Sequence, residues 1–237
     1  MNIKQIKLSF NCLDYRAEFD SAKTNLFSFD QSKEEESVFR TFSVMPLQSR
    51  ALYAYLHQRG IDLDIARQYL MEAHYSFYER PDGRYLYALA YQNDLGGYEL
   101  RSVRFKGSKS PKGITVHLYQ DNAPWVIFEG FMDMLSFATL CRKRQCDAKY
   151  NYLVLNSVAI VDAGIERLRR VKQPIYLALD NDDAGNKATA LMMEQLPMSA
   201  DIRSRYAPAK DINEFLTSFQ VTVKNNRAEM RRRGERL

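Results

Sequence analysis

The acidic residues that could do chemistry sit in two short stretches. Trp125–Asp133 reads W-V-I-F-E-G-F-M-D, and Ile175–Gly185 reads I-Y-L-A-L-D-N-D-D-A-G. Each is an apolar run that ends in acids beside a glycine. An apolar run followed by a turn and a helical pattern is the mark of a buried parallel strand. The carboxyl ends of such strands are where open α/β sheets bind ligands. Two strands about fifty residues apart would bring Glu129, Asp180 and Asp182 together. Three clustered carboxylates repel one another unless a positive group lies between them. A hard cation that prefers oxygen, Mg²⁺ or Mn²⁺, is the expected cofactor.

Spacing refines the set. Gly130 allows close approach beside Glu129, and Asp133 falls on the first turn of the next helix, facing the same rim. Asp180 and Asp182 are two apart, so an extended backbone points both carboxylates one way. Gly185 allows a tight turn. The plainer alternative is that these acids cap helices at βα junctions. That suits Asp183 and Asp162, but not Glu129 or the D-N-D-D run as a whole.

The elements around these residues alternate. Strands are expected near 125–129, 152–155, 175–179 and 201–206, and helices near 131–143, 162–170, 184–195 and 211–218. Alternation argues for a parallel sheet with helical crossovers. Upstream, residues 51–60 carry helical spacing with a glycine stop, and 64–71 a second helix capped by Asp62 or Asp64. Residues 83–92 and 98–106, around the turn N-D-L-G-G, read as a β-hairpin. The expected fold class is α/β, a parallel sheet with flanking helices behind a small α+β subdomain. The expected parts are 1–48, poorly defined; 49–120, the α+β subdomain with a basic loop; 121–220, the α/β domain; and 221–237, a basic tail.

Charge is concentrated. The net charge is +5, yet residues 101–113 alone contribute +5 through Arg101, Arg104, Lys106, Lys109 and Lys112. The tail from Val223 adds +4, leaving the rest near −4. Such concentration suits a polyanion, although a terminal charge run is more often simply solvated. Three cysteines in 237 residues fit a reducing cytoplasm better than a disulfide framework. No apolar run reaches a membrane span and the start has no secretory pattern, so a cytoplasmic location and no membrane partner are expected. His57, His74 and His117 are scattered and read as structural or surface residues.

Together, E-G-F-M-D and D-N-D-D-A-G resemble the TOPRIM domain shared by bacterial-type primases, topoisomerases and some nucleases. The resemblance implies that Glu129 acts in acid–base chemistry or metal binding and that Asp180 and Asp182 form the D-x-D magnesium pair. It makes Asp133 a further acid of the primase type. Ala209–Glu214, A-K-D-I-N-E, resembles the primase G-K-D-x-D-E segment, which adds Asp211 as a metal ligand and Lys210 as a rim residue. Asn213 stands where an aspartate is common, and would offer only a neutral oxygen. Leu155–Val158, L-N-S-V, falls in the place of the loop between the second strand and its helix. Tyr55–Ile61, Y-L-H-Q-R-G-I, resembles the opening of the primase polymerase core, and the basic loop resembles its template-holding ridge.

The resemblance spans roughly residues 50–217 and implies Mg²⁺-dependent nucleotidyl transfer in DNA replication of a chromosome or mobile element. Expected partners are single-stranded DNA template and nucleoside triphosphates, with a replicative helicase or another replication protein as a further candidate. Residues 1–48 hold one cysteine and no histidine, so the zinc ribbon of bacterial primases is not expected there, nor is zinc as a cofactor. Three alternatives stay open: a metal-dependent nuclease on the same scaffold, a non-catalytic DNA-binding accessory, and a phosphatase-like α/β domain. A topoisomerase is disfavoured because no region supplies a nucleophilic-tyrosine domain.

Overall fold

The computed structural model describes residues 39–78, 85–146 and 149–218. The segment before residue 39, with Cys12, and the basic tail 221–237 lie outside the described residues.

Two five-stranded sheets carry the fold. The first is wholly antiparallel and runs β1 (Phe39–Pro46), β2 (Met71–Phe77), β3 (Leu86–Gln92), β4 (Tyr98–Arg101) and β5 (Lys106–Lys109), in chain order across the sheet. Helices α1 (Arg50–Gln58) and α2 (Leu63–Tyr69) lie between β1 and β2. Apolar residues at helical spacing in α1 bury Leu52, Tyr55 and Leu56 on one face. Gly60 stops the helix at φ +74°, a left-handed conformation that costs glycine little. Asp62 caps α2 by accepting from the Asp64 and Ile65 backbone N–H groups. Glu72 on β2 is buried, and its Oε2 accepts from the backbone N–H groups of Gln48 and Ser49 just before α1, at 3.0 and 2.7 Å.

The second sheet has the order β10–β9–β7–β8–β6. Its members are β6 (Thr115–His117), β7 (Trp125–Phe128), β8 (Asn151–Val154), β9 (Ile175–Ala178) and β10 (Ser199–Asp201). All pairs are parallel except β6 with β8 at one edge. Strand residues alternate between two cores. Val126, Phe128, Tyr152, Val154 and Ala178 meet α3 (Phe131–Lys143) and the first sheet's helices. Trp125, Ile127, Leu153, Ile175 and Leu177 meet α4 (Val161–Leu168) and α5 (Asp183–Gln195). Burial on both faces is why these strands are continuously apolar. Complete burial of Phe128 alone removes enough apolar surface to contribute about 2–3 kcal/mol.

The core that α3 shares with α1 and α2 joins the two sheets. Leu56, Ile65 and Leu89 pack in one cluster with Phe128, Phe131 and Leu135. Arg142 of α3 binds Asp62 and Asp64 at 2.8 and 3.0 Å, and the Tyr91 hydroxyl lies 2.8 Å from His117 Nε2.

Several expectations need correction. Strands β1, β2, β5 and β6 are not in the sequence reading. The expected basic loop contains β5, and β1 precedes the point where order was expected. The strand expected at 201–206 ends at Asp201, and Arg203–Arg205 form a 3₁₀ turn. The helix expected at 211–218 is present over 212–218. Asp183 is exposed in the first turn of α5, and Asp182 is the cap. Asp162 lies inside α4 and makes no cap hydrogen bond. Among the described residues no helix is long and apolar enough to cross a membrane.

Candidate active site at the crossover crevice

The chain leaves β7 into α3 on one face of the sheet and leaves β9 into α5 on the other. Adjacent strands whose connections diverge open a crevice at their carboxyl ends, the place where doubly wound sheets bind ligands. Phe128 pairs with Ala178 across these strands, so Glu129 and, one residue further along its own strand, Asp180 emerge at that lip.

Glu129 is partly buried, and its Oε2 is a buried oxygen without a hydrogen-bond partner among the described residues. Burial, and next the charge of Asp182, push its carboxyl above the usual range, against a backbone N–H from Asp180 and the charges of Lys106 and Lys210. Asp180 is pushed up to about 7, first by burial and then by Glu129 and Asp211. Asp182 is held low, mainly because its Oδ1 accepts from the Gly185 N–H at 2.9 Å and because Lys210 binds it. Lys210 Nζ lies 3.0 Å from Asp182 Oδ2 and 3.8 Å from Asp180 Oδ2, so both members of the D-x-D point at one place. Asp211 Oδ1 accepts from the Glu214 N–H at the start of the 212–218 helix, and its charge is felt at Asp180 and Asp133.

The loop is held from behind by residues that sequence spacing could not single out. Asn181 donates from its backbone N–H to the Lys210 carbonyl at 2.6 Å and from Nδ2 to the Ala209 carbonyl at 2.8 Å. These bonds bring Lys210 to the aspartates. Arg203 forks onto Asp201 and donates to the Asp180 carbonyl and to Asn186 Oδ1. The buried Tyr206 hydroxyl donates to the Leu179 carbonyl. A Cβ on Gly185 would stand 2.1 Å from the Asp180 carbonyl oxygen, so glycine lets α5 begin against the loop. Gly130 differs: a Cβ there would meet only Asp133 Oδ2, at 3.5 Å.

Two rim residues of the sequence reading lie beneath the rim. Asp133 is buried, and its Oδ1 accepts from the Asn213 N–H at 3.2 Å. Burial, then Asp211, Asp180 and Glu129, push its carboxyl far above the usual range. Asn213 is also buried, and its Nδ2 donates to the Arg59 carbonyl and to Ser136 Oγ at 2.9 and 2.8 Å. It clamps α1 to α3, and its Oδ1 is a buried oxygen without a hydrogen-bond partner among the described residues.

The basic residues divide by the pleat. Arg101 and Lys106 are cross-strand partners on one face of the first sheet, and the charge of Lys106 reaches Glu129. Lys109 lies on the opposite face, its Nζ 5.3 Å from the Phe42 ring centroid. Arg104 is exposed in the β4–β5 turn, and Lys112 beyond β5 is exposed and acts on Glu99.

The carboxylates of Glu129, Asp180, Asp182 and Asp211 form an oxygen-only donor set suited to Mg²⁺ or Mn²⁺. Among the described residues no three acidic, histidine or cysteine side chains are gathered tightly enough to ligate one ion as they stand. The lysine ammonium bridges the D-x-D instead. The set fits a hard cation all the same: burial, and then mutual repulsion, raise Glu129 and Asp180, and an orphan carboxylate oxygen faces no donor.

An acid-lined crossover crevice on a largely parallel sheet marks an α/β domain with a small antiparallel companion. Residues 126–216 match the Toprim-like family model, so this part of the chain is a TOPRIM-like domain. Residues 41–110 match a domain of unknown function, DUF8464. No curated protein matches the chain. Among solved structures, the primase fragment of the bacteriophage T7 primase-helicase protein is 19% identical with a TM-score of 0.47, over 70% of this chain and 69% of that one. A bacteriophage T7 complex, the lagging-strand DNA polymerase interacting with primase domains of two gp4 subunits bound to an RNA/DNA hybrid and dTTP, gives 20% identity and a TM-score of 0.47. That match covers 70% of this chain and 84% of that one.

Proposed function

We propose that this chain catalyses Mg²⁺-dependent nucleotidyl transfer on a single-stranded DNA template, as in primer synthesis by TOPRIM primases. The observation that carries the reading is the convergence of Asp180 and Asp182 on one cationic point, Lys210 Nζ, beside the partnerless Oε2 of Glu129. Asp180, Asp182 and Asp211 would hold the ion. An ion held there would supply charge neutralisation for the triphosphate and orientation for the attacking 3′-hydroxyl. Glu129 Oε2, in a carboxyl whose proton affinity is raised, receives the proton of that hydroxyl. Lys210, more than half exposed, exchanges its carboxylate partners for the incoming phosphates. Lys106 and Arg101 bind template phosphates along the adjoining face.

The test is template-directed primer synthesis by the wild type, Asp180→Ala and Asp182→Ala. Synthesis lost in both variants, with melting temperatures retained, supports the reading; unchanged synthesis overturns it. Cleavage of labelled DNA with Mn²⁺ and no nucleotides would instead make the chain a nuclease. DNA binding with neither activity would make it a non-catalytic accessory.

A further inference from the structure

One face of the first sheet leads out of the acidic crevice and carries an exposed aromatic ring. Along β3 the residues on that face are Tyr91, Leu89 and Tyr87. Tyr91 is buried and stacks on Phe131, two residues after Glu129, with centroids 5.1 Å apart. Leu89 is fully buried, but Tyr87 is 49% exposed. The face therefore passes from beneath α3 into solvent at Tyr87. Across the strands, Leu89 pairs with Arg101 and Arg101 with Lys106. From strand spacing and rise, Tyr87 lies roughly 8 Å from Arg101, backbone to backbone. The same row ends at the lysine whose charge reaches Glu129.

The Tyr87 ring is braced. His74 is its cross-strand partner and meets it edge-on, with centroids 4.5 Å apart at 89°. His74 Nε2 is in turn 2.6 Å from Glu72 Oε1, and Glu72 is anchored by two backbone N–H groups. An exposed tyrosine on a solvated strand face gains little stability from such support. A ring pre-set for a planar ligand gains from it, because less freedom is lost on binding. Of the two acids on this stretch, Glu72 is buried and bound to His74 and the backbone, and Glu99 is half-buried among Lys112, Lys106 and Arg101.

We propose that Tyr87 is a base-stacking platform for the single-stranded DNA template, placed beside the Arg101–Lys106 phosphate track and leading towards Glu129. Alternation of an aromatic ring with cations is how single strands are bound without sequence preference. The inference rests on the template-directed reading above and names where that template lies outside the crevice.

The test is fluorescence-anisotropy binding of an oligo-dT strand, and of an abasic strand of equal length, by wild type, Tyr87→Ala, Tyr87→Trp and Lys106→Ala. For Tyr87→Ala, affinity for oligo-dT should fall about tenfold, within the range of one lost stacking contact. Tyr87→Trp should bind at least as well as wild type. On the abasic strand, wild type and Tyr87→Ala should be equal. Lys106→Ala should lower the salt dependence by about one ion while Tyr87→Ala leaves it unchanged. Equal binding of oligo-dT by wild type and Tyr87→Ala overturns the proposal, as does a loss that persists on the abasic strand. The binding readout needs no catalysis. If primer synthesis is absent but the tyrosine pattern holds, the platform stands and the polymerase reading falls. Synthesis with no tyrosine effect gives the reverse.

Discussion

Lys210 Nζ stands 3.0 Å from Asp182 Oδ2, while the other oxygen of that carboxylate caps α5 through Gly185. The contact is a counter-ion supplied by the chain to a carboxylate pair that would otherwise repel. It is half-exposed, so its strength is that of a surface pair, about 0.2–1 kcal/mol. Lys210→Met should therefore raise the affinity for Mn²⁺ alone, by up to about fivefold on that energy scale. Calorimetric titration of Mn²⁺ into both proteins checks this. Weaker binding by the variant would mean that the lysine helps to build the site.

Gly185 should be far less tolerant than Gly130, although both sit beside the acids. An added methyl at 185 collides with the Asp180 carbonyl oxygen at 2.1 Å, which is backbone and cannot swing aside. Gly185→Ala should cost about 1–3 kcal/mol in urea unfolding, the range for an overpacked site. It should also displace the D-x-D loop. Gly130→Ala, with only an ordinary contact at 3.5 Å, should unfold like wild type. Equal midpoints for all three proteins would contradict this.

The contrast between these glycines shows what was legible in the sequence. β7 and β9 could be read because central strands buried on both faces are unbroken apolar runs that end abruptly at the acids. β5 could not: Lys106–Lys109, K-G-S-K, is an edge strand with a largely solvated face, and its composition is that of a loop. β2 does carry the signal, since Met71, Ala73, Tyr75 and Phe77 alternate with Glu72, His74 and Ser76, but it follows α2 with no turn residue to mark its start, and the helical spacing expected over 64–71 overran it. Within the site, types and spacing marked out Glu129, Asp180 and Asp182 as candidates, and resemblance alone added Lys210. Arg203 and Asn181 act across 23 and 28 residues through backbone carbonyls, which carry no side-chain signature. Asp133 and Asn213 were misplaced because position in sequence does not separate the surface of a crevice from its floor.

Acid should loosen the joint between the sheets as pH falls from 6.5 towards 4. His117 accepts the Tyr91 hydroxyl when neutral, and burial lowers its pKa from 6.5 to about 4. The unfolded chain binds a proton near pH 6.5 while the folded chain does not until about pH 4. The stability tied to neutral His117 is thus fully present above 6.5 and is lost as pH falls through that window. Partial exposure screens the effect, which should reach about 2 kcal/mol at the acid end. His117→Gln can still accept the tyrosine hydroxyl but does not titrate. Its urea midpoint should fall less than that of wild type between pH 7 and pH 4.5, and parallel curves would refute the assignment.

Restoring the family-like acid at Asn213 should damage the protein rather than improve its site. Asn213 is 1% exposed, and Asp133 accepts its backbone N–H. An aspartate there forfeits both Nδ2 hydrogen bonds and sets its oxygens against the Arg59 carbonyl. It also adds a second acid beside one already pushed well above its ordinary range by burial and neighbouring acids. A lost buried donor costs about 1–3 kcal/mol, and an unpaired buried charge costs more. Asn213→Asp should therefore lose about 3 kcal/mol at pH 7. The loss should shrink as pH falls and the new carboxyl protonates. Urea unfolding at pH 7 and pH 5 measures both numbers. A variant as stable as wild type that binds Mn²⁺ more tightly would show that position 213 faces the crevice, and that the clamp between α1 and α3 does not depend on its amide.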